Sequence, residues 1–175
     1  MALREILLLG NPALYEVSAP IERHELTRIR SAVRDLHDTL MDFRRRHGVG
    51  RAIAAPQIGL PKRLFYIHID KPVVFMNPLL ENKGSEMMEV WDDCMCFPDL
   101  FVKVRRHQTC VITYLDLDWN KQSMTFQDSL SELVQHEYDH LNGVLAVSRA
   151  IDDHSFMLKS QKHHIDTFDV AKPRF

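Results

Sequence analysis

The sequence predicts a single α+β domain in which helices pack against a mostly antiparallel sheet. Three observations indicate it: a long helical pattern over residues 25–47, several short strand-like segments between residues 63 and 126, and a second helical pattern at residues 132–141. The chain of 175 residues is long enough to bury a core of its own. It has no internal repeat, low-complexity tract or Pro/Gly/Ser-rich linker, so we expect one domain over residues 1–175.

Composition and charge argue against several classes of partner. Lys and Arg number 22 against 24 Asp and Glu, and this formal charge of −2 gives no electrostatic attraction to nucleic acid or a membrane surface. Three cysteines without a signal peptide are typical of a reducing cytoplasm. The apolar run at residues 6–9 is too short to span a bilayer. We therefore expect a soluble cytoplasmic protein that binds neither nucleic acid nor membrane.

The first part of the chain combines an irregular segment with a helix. Residues 1–24 contain two X-Pro pairs, which disfavour helix. In residues 25–47 the apolar side chains recur at steps of three and four: Leu26, Ile29, Val33, Leu36, Leu40 and Phe43. Three arginines and a histidine before Gly48 are typical of a helix end, where cations oppose the macrodipole. We interpret this basic run as a solvated helix end rather than a nucleic-acid patch.

The following segments are predicted as strands, with one more helix at the end. Residues 48–59 are mostly small, so backbone can approach a ligand closely, but they lack the spacing of a dinucleotide or phosphate loop. Four segments rich in aromatic and β-branched residues are predicted strands: 63–69, 72–76, 110–117 and 123–126. Residues 152–164 are predicted to form a last helix, and the tail at about 165–175 to be frayed.

The pentapeptide HEYDH, at residues 136–140, is the main chemical signal. On a helix, residues four apart share a face, so His136 and His140 can hold one metal ion together. Glu137 beside them can take a proton from a water molecule on that ion. The alternative is a solvated helix that carries two histidines by chance.

The flanks of the pentapeptide favour a packed helix. Ser129 or Ser131 can cap its start, with Glu132 completing a capping box after Ser129, and Gly143 can end it. An apolar stripe is predicted from five residues: Leu130, Leu133, Val134, Tyr138 and Leu141.

Two histidines leave such an ion short of protein ligands. The third histidine of the HExxHxxGxxH pattern falls on Ala146, and no glutamate follows Glu137, so both common zinc-protease patterns lose support. Cys94 upstream offers a thiolate, whereas Cys110 lies in a predicted strand and is expected to be a small buried apolar residue. Downstream candidates stay open: His154, His163, His164 or an aspartate.

Three segments together are more specific than any one of them: residues 50–57 (GRAIAAPQ), 92–96 (DDCMC) and 136–140 (HEYDH). They resemble the motifs GxGxAAPQ, EGCLS and HExDH of the peptide deformylase family, in the same order and at suitable separations. The resemblance extends over roughly residues 3–150. It implies antiparallel sheets around a central helix that binds a metal.

The resemblance also implies the site. Cys94, His136 and His140 would bind one divalent ion, natively Fe(II), although zinc, nickel or cobalt can occupy such a site. Glu137 would act as general base and then as general acid. The side-chain amide of Gln57 and the backbone N–H of Met95 would stabilise the oxyanion that forms at the formyl carbon.

The implied substrate is an N-formylmethionyl peptide, carried by nascent chains near the ribosome. Its backbone would lie as an added strand against four residues: Gly50, Arg51, Ala52 and Ile53. An apolar pocket would take the methionine side chain, with Leu133 and Tyr138 as candidates for its neighbourhood.

The sequence departs from the family pattern at several positions. Ala52 replaces a glycine and follows the charged Arg51, and Asp92 replaces a glutamate for which Arg106 is the expected partner. Asp93 replaces a glycine and puts negative charge beside Cys94, so we expect it to slow the reaction without abolishing it.

Cys96 stands where the family has serine. It can be a spare metal ligand, but we favour a packing role, since neighbours two apart on a strand face the same way only at a distance. Because of such departures two alternatives are kept: a paralogue that hydrolyses a different N-acyl peptide, and a catalytically silent metal-binding module.

Overall fold

Residues 3–168 are described by the computed structural model, and they form two antiparallel sheets with two α-helices. In chain order the elements are α1 (Leu26–His47), β1 (Ala52–Ala54), β2 (Leu64–His68), β3 (Pro72–Lys83), β4 (Met87–Asp93), β5 (Leu100–His107), β6 (Thr109–Leu115), β7 (Lys121–Gln127), α2 (Asp128–His140) and β8 (Phe156–Leu158). Short 3₁₀ helices connect several of them. The predicted α+β class is confirmed. Within this range no helix has the length and apolar character that a membrane crossing requires.

Helix α1 agrees with its periodic pattern. It ends at His47, and Gly48 closes it in a left-handed conformation, with φ of 73° and an N–H donated to the Arg44 carbonyl at 2.8 Å. Four residues of the apolar stripe are buried: Ile29, Leu36, Leu40 and Phe43. Arg45 and Arg46 pair with Asp42 on the same helix, so the basic run is a helix end, as predicted.

The first sheet has the strand order β1-β2-β3-β6-β7, and β1 forms one edge. All four predicted strands are present, and β3 continues beyond the predicted end to Lys83. One core cluster joins this sheet to α2 and includes Phe65, Phe75, Ile112, Val134 and Leu141. The sheet therefore fixes the helix that carries the histidine pair.

The second sheet has the order β4-β5-β8, and none of its strands was predicted. Charged residues interrupt β4 and β5, so neither is a continuous apolar run. Strand β4 pairs with β5 over its whole length and ends at Asp93, directly before Cys94. The second sheet therefore positions the motif at residues 92–96, which contains Cys94.

The predicted helix over residues 152–164 is wrong for residues 152–158, and only its second part, residues 159–164, is helical, as part of a 3₁₀ helix. Asp152 caps a turn instead, because its Oδ1 accepts hydrogen bonds from the backbone N–H of His154 and the hydroxyl of Ser155. The next residues form β8, which satisfies its backbone against β5, and a 3₁₀ helix follows over Lys159–Phe168. Of the predicted frayed tail, residues 169–175 lie outside the described range.

Both predicted ends of α2 differ in the structure. The helix begins at Asp128, and no side chain caps it. Ser131 donates instead to the His107 carbonyl at 2.8 Å. Leu130 is 39% exposed and does not belong to the buried stripe. The helix ends at His140, and Gly143 serves the turn that follows, with φ of 68°.

Candidate metal centre and substrate cleft

Helix α2 brings the two histidines of the pentapeptide together. His136 and His140 are both buried, and their Nε2 atoms lie 3.2 Å apart. Burial and the neighbouring His136 hold the pKa of His140 well below its usual range. The His140 ring is therefore neutral, with a lone pair available to a cation.

Cys94 completes a group of three donor atoms. It lies in a tight turn after β4, which the Phe97 N–H closes by donating to the Cys94 carbonyl at 3.1 Å. Its Sγ is 3.3 Å from His140 Nε2, and the donor atoms of Cys94, His136 and His140 all lie within 4.8 Å of one another. Burial raises the pKa of the thiol, whereas a coordinated divalent cation deprotonates a cysteine outright.

The three residues fit a divalent ion. Ligand atoms around a tetrahedral ion, at metal distances of about 2.0–2.3 Å, lie roughly 3.3–3.6 Å from one another. The observed separations of 3.2 Å and 3.3 Å are close to that range. Within residues 3–168 the other potential ligand group comprises Asp92, Glu132 and His136, and its carboxylates already face Arg106 and Arg51. The other candidate histidines, His154, His163 and His164, belong to neither of these two groups.

A buried network of charged side chains contacts the His136 ring at its Nδ1 atom. Its Nδ1 lies 2.8 Å from Asp92 Oδ1, and Asp92 Oδ2 accepts a hydrogen bond from Arg106 at 2.8 Å, as predicted. Arg106 also pairs with Asp139, which binds Arg149 at 2.6 Å. Such outer partners orient the ring of a metal ligand. Sequence reasoning missed Asp139 and Arg149, although Asp139 is the fourth residue of the pentapeptide.

Charge and burial act against each other in this network. Burial alone would raise the pKa of Asp92, but His136 and Arg106 outweigh it and hold that pKa well below its usual range. Burial likewise disfavours the charged form of His136, yet the Asp92 carboxylate raises its pKa to about 10. Asp92 therefore holds a proton on Nδ1, and a cation bound at Nε2, the atom that faces Cys94 and His140, would displace the second proton of the imidazolium.

Glu137 is a buried carboxyl group beside the three donors. Its side chain is 3% exposed, and among the described residues Oε2 has no hydrogen-bond partner. Burial, with Asp92 and Glu132 nearby, raises its pKa to about 7 even though His136 opposes the shift. A group with that pKa can both accept and return a proton near neutrality.

Gln57 and Cys96 lie on the other side of Cys94. The Ala54 N–H donates to Gln57 Oε1 at 2.7 Å, which turns Gln57 Nε2 toward both sulfur atoms at 3.5 Å. Cys96 lies in the turn rather than on a strand, so the strand-spacing argument did not apply. It is buried in a core cluster and stays outside the three-donor group, in agreement with a packing role.

A cleft of about 840 Å³ opens beside these residues. Met95 and Glu137 line it, together with three residues at the β1 edge and one on α2: Gly50, Arg51, Ala52 and Leu133. Ile53, also expected to contact the peptide, is fully buried in the core against α1 and does not belong to the described lining of the cleft. Tyr138 lies elsewhere, with the Arg63 guanidinium 5.4 Å from its ring centre.

The departures from the motif pattern are accommodated locally. Gly50 has φ of 129°, and a Cβ there would lie 3.3 Å from Leu40 Cδ1, so this glycine is required. Ala52 and Asp93 are in extended strands and do not have a positive φ, so the backbone at these positions does not require glycine. Asp93 Oδ2 binds Lys159 Nζ at 3.0 Å, so its charge is already compensated.

The family model of polypeptide deformylases matches residues 3–155, which is most of the chain. The chain belongs to this family. A peptide deformylase of Pseudothermotoga lettingae is 34% identical over 158 residues, which covers 90% of this chain and 89% of the relative. The peptide deformylase of Synechococcus elongatus in complex with actinonin has a TM-score of 0.80 at 25% identity and covers 96% of this chain and 87% of its own.

A second solved structure contains a bound peptide. It is the class I type b peptide deformylase of Acinetobacter baumannii with bound Met-Ala-Ser, and it has a TM-score of 0.78 at 28% identity over 85% of this chain and 98% of its own. As a polypeptide deformylase, the chain is a metal-dependent hydrolase that removes the formyl group from N-terminal formylmethionine. The family implies a divalent metal. A different N-acyl activity and a silent binding module are not favoured.

Proposed function

We propose that Cys94, His136 and His140 hold a single divalent ion, natively Fe(II), within one domain that covers residues 1–175. The observation that supports this most directly is the close approach of the three donor atoms, all within 4.8 Å. A divalent ion there supplies Lewis acidity, which polarises a carbonyl group and lowers the pKa of water. A His₂Cys set also accepts zinc, nickel or cobalt, so supply as well as ligand type decides the occupant.

Glu137 acts as the proton carrier of the reaction. It takes a proton from the attacking water, whose oxygen forms a bond to the formyl carbon. It then gives the proton to the leaving nitrogen as the C–N bond breaks, which releases formate and a free amino terminus. Its burial and its free Oε2 support this role.

Two donors stabilise the negative charge that develops on the formyl oxygen. Gln57 Nε2 is oriented toward Cys94 by the bond from Ala54 to its Oε1, and the Met95 backbone N–H follows Cys94 in the tight turn. Removing one such donor typically slows turnover by roughly 10²- to 10³-fold.

The peptide lies along the free edge of β1. Among the described strands β1 pairs with β2 alone, and Ala52 and the two residues before it, Gly50 and Arg51, line the cleft. An added strand would use backbone groups here, including those of Ile53, and its first side chain would reach Leu133. The Acinetobacter baumannii relative binds the peptide Met-Ala-Ser, which supports a peptide as the ligand of this chain. The physiological substrates are nascent chains near the ribosome, in the cytoplasm.

Formate release from formyl-Met-Ala-Ser tests the proposal. Protein prepared without oxygen and loaded with Fe(II) should release formate, and Glu137→Gln should slow release by about 10²- to 10⁴-fold while metal content stays at one equivalent. Actinonin should inhibit. Full activity in Glu137→Gln, or one bound metal without Cys94, His136 and His140, would contradict the assigned roles.

A further inference from the structure

An ion pair crosses the cleft close to the metal ligands. Arg51, just before β1, donates from Nη2 to Glu132 Oε2 at 2.9 Å and from Nη1 to the Ser129 carbonyl at 3.3 Å. Glu132 lies on α2, one helical turn before His136. Both charged residues line the cleft. The pair therefore joins the β1 edge to α2.

The cleft that contains this ion pair also has apolar walls. The cleft is also lined by apolar side chains: Val49, Met88, Val90 and Leu133. The side chains of Arg51 and Glu132 are 32% and 11% exposed, so water screens them only in part. A guanidinium carries five N–H groups, and the two bonds above leave donors for a ligand. A side chain in this part of the cleft therefore meets both a donor and an acceptor.

We propose that the Arg51–Glu132 pair sets side-chain specificity, so that the cleft accepts a polar, uncharged first residue with an amide end nearly as well as methionine. This inference rests on the proposed placement of the peptide along β1. Glutamine has about the length of methionine; its amide oxygen accepts from Arg51 and its amide nitrogen donates to Glu132. If apolar side chains alone lined this part of the cleft, the glutamine amide would be buried without hydrogen-bond partners. That would weaken binding of the glutamine peptide.

The ratio of kcat/KM for formyl-Met-Ala-Ser to that for formyl-Gln-Ala-Ser tests this proposal. We expect a ratio below about ten for the Fe(II) protein, rising at least tenfold in the double variant Arg51→Leu with Glu132→Leu, because the amide then loses both partners. The affinities of the unformylated tripeptides Met-Ala-Ser and Gln-Ala-Ser, measured by calorimetry, should shift in the same direction.

A matched control removes a different partly buried ion pair. Lys62 and Glu25 pair at 2.8 Å and do not belong to the cleft lining, so Lys62→Leu with Glu25→Leu should leave the ratio unchanged. The milder variant Glu132→Gln keeps the shape but leaves the Arg51 charge uncompensated. It should raise turnover of formyl-Glu-Ala-Ser relative to formyl-Met-Ala-Ser by about tenfold.

Two results would overturn the inference: a native ratio above about ten, or the same ratio in the native protein and in the double variant Arg51→Leu with Glu132→Leu. These are distinct from failure of the proposed function, in which no formyl peptide releases formate. In that event the tripeptide affinities still decide whether the pair selects the side chain.

Discussion

Asp93 carries a negative charge directly before the proposed metal ligand Cys94. On sequence grounds its charge beside Cys94 is expected to slow the reaction, but the structure pairs it with Lys159 at 3.0 Å. The Lys159 ammonium group also lies 5.3 Å from the centre of the Phe101 ring. Sequence reasoning could not find this partner, because it lies 66 residues away in a segment that was predicted to be helical.

We expect Lys159→Met to lower kcat/KM for formyl-Met-Ala-Ser by about two- to fivefold, the range of a partly exposed ion pair. The methionine keeps the apolar stem over Phe101 and removes only the charge. Asp93→Gly should raise the rate slightly and make Lys159→Met neutral in the double variant, and Lys159→Arg should retain native activity. If Asp93→Gly leaves the rate unchanged or lower, Asp93 does not oppose the reaction.

At the scale of elements, the residue pattern predicted α1, which buries an apolar stripe, and four of the five strands of the first sheet, which are rich in aromatic and β-branched residues; β1 was not predicted. The pattern failed for the second sheet, where charged residues interrupt the strands, and for β8, whose pairing with β5 overrides local helix signals. The structure brings the residues of the three motifs close together because each motif occupies a fixed place: the β1 edge, the turn after β4 or helix α2. What the sequence could not show were long-range partners such as Arg149 and Lys159.

The turn after α2 depends on Gly143. A Cβ at this position would lie 2.3 Å from the Tyr15 carbonyl oxygen, so the segment before α1 packs directly on this backbone. Gly143→Ala should lower the free energy of unfolding by about 3 kcal/mol, measured by urea titration.

Gly48→Ala is the matched control for this change. Its φ of 73° is similar, but a Cβ there meets nothing within 4 Å. It should cost about 1 kcal/mol, which is the backbone strain alone. Equal losses in the two variants would show that the contact with Tyr15 does not constrain the turn.

At the scale of the whole molecule, the proposed metal centre adds a link between parts that are also joined by the Asp92–Arg106–Asp139 network and by hydrogen bonds from Ser131 and Gln135 to His107. Cys94 follows the last strand residue of β4 in the second sheet, whereas both histidines belong to α2, which packs on the first sheet. An ion bound by all three therefore links the two sheets, and folding and metal binding should be coupled.

Metal removal should then destabilise the whole fold. Against chelated protein, Zn(II) at about 1,000 times its dissociation constant should raise the free energy of unfolding by about 4 kcal/mol. His140→Ala should lose most of this gain, while His154→Ala, at a side chain 92% exposed, should keep it. Cys94→Ala separates two models of the site. If the gain disappears, the ion links the sheets; if it persists in full, the ion is held by α2 alone and the coupling between the sheets is wrong.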